Sequence, residues 1–186
     1  WIGLGNFKLL FVDVDFWQSV RNTLIIAYLQ ILIFFPFPIV LAILLNEIAF
    51  KRFKRVTQTI LYMPHFLSWI IISGIALQLF AHTTGLVNIV LNRLGFDSVP
   101  FLNDPTHWVW TYVFLGVWKS VGWNTIIYLA ALTSINPELY ESAVIDGASR
   151  WKQVLHITLP GISQTIMIML ILRIGSLLSV GFEKVY

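Results

Sequence analysis

Charged side chains divide the chain into four long apolar blocks. Residues 22–46 and 56–92 contain no Asp, Glu, Lys or Arg, Lys119 is the only one in the third block, and Arg173 is the only one in the fourth. A helix needs about 20 apolar residues to cross the hydrocarbon core of a bilayer. We therefore predict four membrane-spanning helices, at about residues 19–46, 59–80, 108–135 and 162–183.

The composition agrees with a chain whose solvent is lipid. Of the 186 residues, 58% are hydrophobic and 11% are charged, and the mean hydropathy is +0.80. A soluble domain carries about 25% charged residues. Runs this long favour helices over the alternating strands of a membrane barrel, because backbone polar groups in lipid must be paired within the segment. Since the chain begins at Trp1 and stops at Tyr186, just after an apolar run, we expect further spans in a longer chain.

Two prolines fall inside the first predicted span. Pro36 and Pro38, in "FFPFP", each lack a backbone N–H, so a regular helix cannot continue through them unchanged. We expect a kink here, which could serve as a hinge or be a simple packing bend.

Lysine and arginine are concentrated in two of the connecting loops. Four of them fall within residues 51–55, and Arg150 and Lys152 lie between the third and fourth spans, whereas residues 81–107 carry only Arg93. Cytoplasmic loops are enriched in Lys and Arg, so the two basic loops are predicted to be cytoplasmic and the third external. Topology and lipid headgroups explain these charges, and the net charge of +3 gives no reason to expect a nucleic acid partner.

A polar segment follows the third predicted span. Asn136 is a suitable N-cap for a short helix over residues 137–145, which has Pro at its first position. Asp146 and Gly147 then break the helix: Gly permits the turn, and Asp can cap the second helix, "ASRWKQVLHITL". Pro160 marks the junction with the fourth span. The result is a helix, a turn and a helix that could be held by a soluble partner.

This segment, "ESAVIDGASRWKQVLHITLPGI", resembles the cytoplasmic EAA loop of binding-protein-dependent ABC importer permeases. In the family pattern, Glu-Ala-Ala is followed by three residues, Gly, nine residues, Ile, one residue and Leu-Pro. Ser142 replaces the first Ala, a small-for-small change. "DGASRW" and "HITLPGI" resemble the sugar and oligosaccharide branch, and "GLGNFKLLF", "RNTLIIAYLQ", "LYMPHFLS" and "VGFEKVY" are similar to the same permeases. The matching positions are Glu141, Ala143, Gly147, Ile157, Leu159 and Pro160.

The resemblance implies an all-α integral membrane fold, the polytopic bundle of the type I (MetI-like) importer permease core. Residues 1–186 would form a single permease domain of a six-span chain in the bacterial inner (plasma) membrane, with a cytoplasmic coupling loop at about residues 136–160. The implied function is import of sugars, of oligo- or polysaccharide size, by a subunit that is not itself an enzyme and has no cofactor of its own.

The implied partners are a cytoplasmic ATPase dimer that binds the ATP, a second homologous permease chain and an extracytoplasmic solute-binding protein that delivers the sugar. ATP-driven closure of the ATPase pair would push on the coupling loop. The residues that the resemblance implies in ATPase coupling are Glu141, Ser142, Ala143, Asp146, Gly147, Ala148 and Arg150.

Lys119 and Arg173 lie near the middle of the third and fourth predicted spans. A charge at this depth costs at least about 2.5–3.5 kcal/mol, so each should face a partner or a wet cavity. Helical spacing puts a polar and aromatic stripe on one face of the third span. We expect the stripe to line the translocation path, where two cations would suit an acidic sugar; alternatively, these groups bind backbone carbonyls or hold two permeases together. The substrate-path candidates are Gly116, Lys119, Ser120, Trp123, Asn124 and Arg173.

Other chemistries find little support in the sequence. The four histidines are too scattered for a metal site, no P-loop is present, and no spaced Ser, His and acidic group suggests a nucleophile. The alternative to an importer permease is an ion-coupled secondary transporter or a channel. A secondary transporter would be expected to carry acidic residues inside its spans, and the four apolar blocks contain none.

Overall fold

The predicted all-α fold is confirmed. The structure, a computed structural model, describes residues 3–176, and no β-strand occurs in that range. Two π-helical segments and one 3₁₀ segment interrupt the α-helices, at Gln30–Phe34, Val154–Thr158 and Met63–Phe66. The α-helices are α1 Gly5–Val12, α2 Val14–Leu29, α3 Pro36–Asn46, α4 Lys51–Tyr62, α5 Trp69–Phe80, α6 Leu86–Arg93, α7 Pro105–Thr133, α8 Pro137–Ile145, α9 Arg150–Gln153, α10 Leu159–Gly161 and α11 Ser163–Gly175.

The first predicted span begins earlier than expected, at Val14, and ends at Asn46 as α2, the first π segment and α3. Asp13 caps it, because its carboxylate accepts the Asp15 N–H at 2.9 Å. Val14–Asn46 is one helical stretch through Pro36 and Pro38, with the π segment Gln30–Phe34 just before them, and the kink expected there stays a prediction. Prolines remove N–H donors, so the regular α-helical bonding pattern cannot persist through this stretch.

The second predicted span, residues 59–80, is not one continuous helix. The helical stretch Lys51–Phe66 meets α5 at an angle of 103°. Pro64 has no N–H to donate, and Ser68 starts a new helix by accepting the Ile71 N–H at 3.3 Å. The prediction rested on the absence of charge and did not weigh this Pro and Ser.

The third predicted span, residues 108–135, falls on α7, which runs from Pro105 to Thr133. The fourth begins at Ser163, and its predicted end, together with "VGFEKVY", lies outside the described residues. By length and composition, one helix of the described part could cross a membrane, Val14–Asn46, or up to three if each bent pair is one span. α7 is long enough at 29 residues but is rich in polar and aromatic residues, so four spans stay a prediction.

The interior is built mainly where α3 packs along α7. One buried cluster joins Ile39 and Ala42 of α3 to Tyr128 of α7 and to Ile162, between α10 and α11. A second joins α2 to the first half of α7. Large apolar side chains remain exposed on the outside, for example Ile70 at 84%, as expected for a surface that faces lipid or further helices.

The loop of residues 81–107, which the sequence predicts to be external, is held together by one buried amide. Asn88 of α6 is fully buried, and its amide donates to Ala81 O at 3.1 Å and Val99 O at 2.9 Å. Its oxygen accepts the Val99 N–H at 2.8 Å.

Asp104 caps α7 by accepting the N–H groups of Thr106 and His107 at 3.0 Å. The bond from the His107 N–H is the main reason that the pKa of Asp104 is lowered.

Gly122 sets the distance between α4 and α7. A Cβ at this position would overlap the backbone carbonyl of Leu61 and press on the Tyr62 ring. The two helices can therefore touch backbone to backbone only because residue 122 has no side chain.

We predict that Gly122→Ala destabilises the protein. Alanine gains up to about 1 kcal/mol of helix propensity, but overpacking against a backbone costs about 1–3 kcal/mol. Thermal unfolding in detergent should show a lower midpoint. The matched control is Gly74→Ala in α5, where a Cβ meets nothing within 4 Å, and the midpoint should not fall. Equal midpoints for both variants would contradict the close approach.

We also predict that Asn88→Leu loosens the external loop. It leaves the Val99 N–H without its partner, at a cost of about 1–3 kcal/mol, and removes one of the two donors to each carbonyl of Ala81 and Val99. Hydrogen exchange at the Val99 amide should become faster, with a lower unfolding midpoint. Asn92→Leu, which removes an exposed amide one helical turn along that bonds the Ser98 hydroxyl, is the control and should leave the Val99 amide protected.

Candidate translocation cavity and coupling loop

Lys119 and Arg173, the cations near the middle of the third and fourth predicted spans, line one cavity. The cavity has a volume of about 220 Å³ and lies where α7 faces α11, the first π segment and the bend before α5. It combines two cations, two amides and several aromatic rings. Its lining residues are Gln30, Phe34, His65, Trp69, Tyr112, Gly116, Lys119, Ser120, Asn124 and Arg173.

The Lys119 ammonium binds the backbone at the bend. It donates to the carbonyl of His65 at 3.2 Å and also to the carbonyl of Leu67. It lies 5.3 Å from the centroid of the Trp69 ring, within the range of a cation–π contact. The positive charge of Lys119 is thus stabilised by two backbone carbonyls and by the Trp69 ring.

Part of the Arg173 guanidinium contacts other residues of the chain. Its Nη2 donates to Gln30 Oε1 at 2.7 Å, and its Cζ lies 5.6 Å from the centre of the Phe34 ring. Gln30 and Phe34 are the first and last residues of the first π segment. A guanidinium has five N–H donors, so Arg173 keeps donors that can face a ligand.

A second cavity, of about 200 Å³, continues from the first. The two share Phe34, Asn124 and Arg173, and the second extends past Tyr128 toward Met169. Asn124 and Arg173 therefore face both spaces, and polar groups follow one another along this side of α7.

Of the five predicted path residues on α7, four line the first cavity and Trp123 does not. Gly116 makes room for the Phe34 ring, which a Cβ there would overlap, and the Ser120 hydroxyl donates to Gly116 O at 2.6 Å. Trp123 stacks face to face on His65, with ring centroids 4.5 Å apart and an interplanar angle of 3°.

Sequence reasoning did not identify five of the lining residues: Gln30, Phe34, His65, Trp69 and Tyr112. Two of them carried a signal. Gln30 is an amide within a charge-free block, and His65 adjoins the helix-breaking Pro64. The aromatic residues carried none, because aromatic side chains are frequent throughout this chain.

The predicted coupling loop has the expected first helix and turn. α8 runs from Pro137 to Ile145, Asn136 caps it by accepting the Glu138 N–H at 3.0 Å, and Gly147 has a φ of +70°, which favours glycine. The expectation that Asp146 caps the second helix is wrong. Asp146 ends α8, and Ser149 caps α9 by accepting the Lys152 N–H.

The junction with the fourth span also differs from the prediction. Pro160 lies within the short helix α10, and the chain bends by 61° at Ile162. The loop is braced from within, because the Tyr140 hydroxyl lies 3.0 Å from Thr158 Oγ1 and the buried Gln153 amide donates to Ala148 O at 3.0 Å. α8 is therefore held against the segment that leads into α11.

The side chains predicted to contact an ATPase are accessible to different degrees. Glu141, Ser142, Asp146, Gly147 and Arg150 are exposed, and Ala143 and Ala148 are half-buried. Around them the loop exposes large apolar groups, with Ile145 at 85% and Trp151 at 77%. The loop surface thus combines carboxylates with uncovered apolar side chains.

Two of these polar groups have partners within the chain. The Ser142 hydroxyl donates to Glu138 O at 2.8 Å. Arg150 forms an ion pair with Glu47, at the end of α3, with 3.4 Å between Nη1 and Oε2. Both side chains of the pair are exposed, so the pair contributes little stability by itself. Within residues 3–176, no group of His, Asp or Glu side chains is arranged to hold a metal ion.

Comparison with known proteins agrees with these features. Residues 9–180 match the family described as "Binding-protein-dependent transport system inner membrane component". Over the whole chain, the sequence is 45% identical to protein LplB and 44% identical to the polygalacturonan/rhamnogalacturonan transport system permease protein YteP, both from Bacillus subtilis strain 168. The chain covers 58% of each of these relatives.

The fold is also similar to a solved structure. It matches the crystal structure of a bacterial ABC transporter involved in the import of the acidic polysaccharide alginate, with a TM-score of 0.95, 44% identity, and coverage of 98% of this chain and 64% of the other. The chain therefore belongs to the family of inner membrane components of binding-protein-dependent transport systems.

Proposed function

We propose that this chain is the permease subunit of an ATP-driven importer for oligo- or polysaccharides, including acidic ones. One observation carries the proposal: this member of the family has both an exposed loop at the predicted coupling site and a polar cavity lined by Arg173. The protein would provide the path across the membrane, and a partner ATPase would bind and hydrolyse the ATP.

The coupling loop would receive the mechanical input. Glu141 on the exposed side of α8 suits an Arg or Lys of a cytoplasmic ATPase, and the uncovered Ile145 and Trp151 suit an apolar groove. Gly147 sets the angle between α8 and α9 through its positive φ. Because α8 is braced against the segment before α11, a push on the loop would be passed to α11, which carries Arg173.

The assembly would contain two copies of the ATPase, a second homologous permease chain and an extracytoplasmic solute-binding protein. In support, a second solved structure, with a TM-score of 0.94 and 43% identity, is the bacterial alginate ABC transporter in complex with an alginate pentasaccharide-bound periplasmic protein. The exposed apolar side chains outside the coupling loop would be covered by lipid and by the second permease.

The cavity would bind the sugar during transport. Amide and hydroxyl groups such as Asn124 and Ser120 can exchange hydrogen bonds with sugar hydroxyls, and aromatic rings such as Trp69 can stack on sugar rings. Arg173 offers a fixed cation with free donors, which suits a carboxylate. Import of the acidic polysaccharide alginate by a structural relative supports the acidic substrate class.

We predict that Glu141→Lys uncouples the permease from its ATPase. Reversing this charge would repel a basic partner side chain and should lower both co-purification of the ATPase and sugar uptake at least about tenfold, equivalent to about 1.4 kcal/mol or more. Asp97→Lys, an exposed charge reversal in the predicted external loop, is the matched control and should leave ATPase co-purification unchanged.

Two results would contradict this prediction. The first is an unaltered ATPase attachment and uptake in Glu141→Lys. The second concerns topology: the chain contains no cysteine, so Ile145→Cys provides a single label site within it. Modification of that cysteine by an impermeant maleimide from outside intact cells would place the loop on the wrong side of the membrane.

We further predict that Arg173→Met weakens the response to acidic oligosaccharides. Loss of a charge-assisted pair costs about 1.5–3 kcal/mol, or roughly a 10- to 100-fold higher half-maximal concentration in substrate-stimulated ATPase assays of the reconstituted complex. A neutral oligosaccharide of the same length should show a smaller change. An equal rise in the half-maximal concentration for both sugars would show that Arg173 does not recognise the carboxylates.

A further inference from the structure

We propose that Lys119 is a positioning residue: its ammonium holds the 103° bend between α4 and α5 and so shapes the cavity wall, without serving as the sugar's cation. This inference rests on the proposed function for its consequence in transport. Its structural part stands on the contacts of the bend alone.

The bend leaves backbone carbonyls without helical partners. In a continuous helix the Leu67 carbonyl would accept the N–H of Ile71, but that N–H is bound by Ser68 Oγ at 3.3 Å. The 3₁₀ segment that ends at Phe66 adds carbonyls at a helix C-terminus, where partial negative charge accumulates. Unpaired carbonyls at membrane depth cost several kcal/mol, so the bend requires a donor from elsewhere.

Lys119 is that donor. Its Nζ donates to the carbonyls on both sides of Phe66, those of His65 and Leu67, from a position 52 to 54 residues away in sequence. The same group lies over the ring of Trp69, the first residue of α5. A single cation therefore contacts the end of one arm of the bend and the start of the other.

The face of α7 around Lys119 is shaped to receive the bend. Gly122, three residues on, admits the backbone of Leu61, and Trp123 stacks on the His65 ring. Lys119, Gly122 and Trp123 are spaced so that they share one helix face. Two of the three ammonium N–H groups are used by carbonyls, which leaves Lys119 fewer free donors for a sugar than Arg173 has.

The bend angle can be measured directly. Spin labels at Phe53→Cys on α4 and Leu77→Cys on α5, both exposed positions in a chain without cysteine, report the distance between the two arms. Leu77 lies about 12 Å along α5 from Trp69, so a change of about 20° in the bend would move it by about 4 Å. The measurement is made on the assembled transporter, with any cysteine elsewhere in it replaced.

Four versions separate hydrogen bonding from charge: wild type, Lys119→Met, Lys119→Gln and Arg173→Met. Methionine keeps the apolar stem without a donor, whereas glutamine keeps a neutral donor. We expect the distance distribution to shift or broaden in Lys119→Met, to be largely restored in Lys119→Gln, and to be unchanged in Arg173→Met. Uptake should follow the same order for Lys119, with the maximal rate of Lys119→Met reduced more than tenfold and that of Lys119→Gln within about threefold of wild type.

The outcomes distinguish this inference from the proposed function. A wild-type distance distribution in Lys119→Met overturns the inference, even if uptake is lost, because Lys119 would then act on the substrate. Equal loss of uptake in Lys119→Gln and Lys119→Met, with a normal bend in Lys119→Gln, overturns it as well. If the assembled wild-type transporter imports no sugar, the proposed function fails, and the distances still decide whether Lys119 holds the bend.

Discussion

Backbone groups that leave the regular helical pattern inside this chain must find another partner, and at the 103° bend before α5 that partner comes from α7. Its Lys119 binds the carbonyls of His65 and Leu67 at this bend. Its buried Thr125 also contacts α3, with 3.4 Å between Thr125 Oγ1 and the Pro38 carbonyl oxygen. In lipid no water can replace such partners. α7 therefore holds the interrupted helices in place through these contacts.

The same requirement explains why the cavity is polar. The cations near the middle of the third and fourth predicted spans each contact an irregular segment: Lys119 contacts the bend, and Arg173 contacts the first and last residues of the π segment through Gln30 and Phe34. Irregular helices cannot pack tightly everywhere, so space remains beside them, and the groups that satisfy the backbone line that space. Structural support and a polar cavity thus arise from one set of residues.

The coupling loop extends this arrangement to the end of the bundle. Arg150, which the family resemblance implies in ATPase contact, also pairs with Glu47 at the end of α3, and α3 packs along α7. The pair is solvent-exposed and weak, so it leaves Arg150 available to a partner protein. Through Tyr140 and Thr158 on one side and Glu47 on the other, the loop contacts both the segment that leads into α11 and the end of α3.

The sequence by itself determined the helical class, the extent of α7, the short helix Pro137–Ile145 and the left-handed Gly147, because hydropathy, capping and glycine conformation act over a few residues. Only the tertiary structure decided the 103° bend and the contact of Lys119 with carbonyls more than 50 residues away. It also decided the bond between Gln30 and Arg173, 143 residues apart, and the stacking of Trp123 on His65 instead of in the cavity lining. Which polar groups meet depends on how helices rotate and pack against each other, and that choice is made by contacts distant in sequence, which no local pattern records.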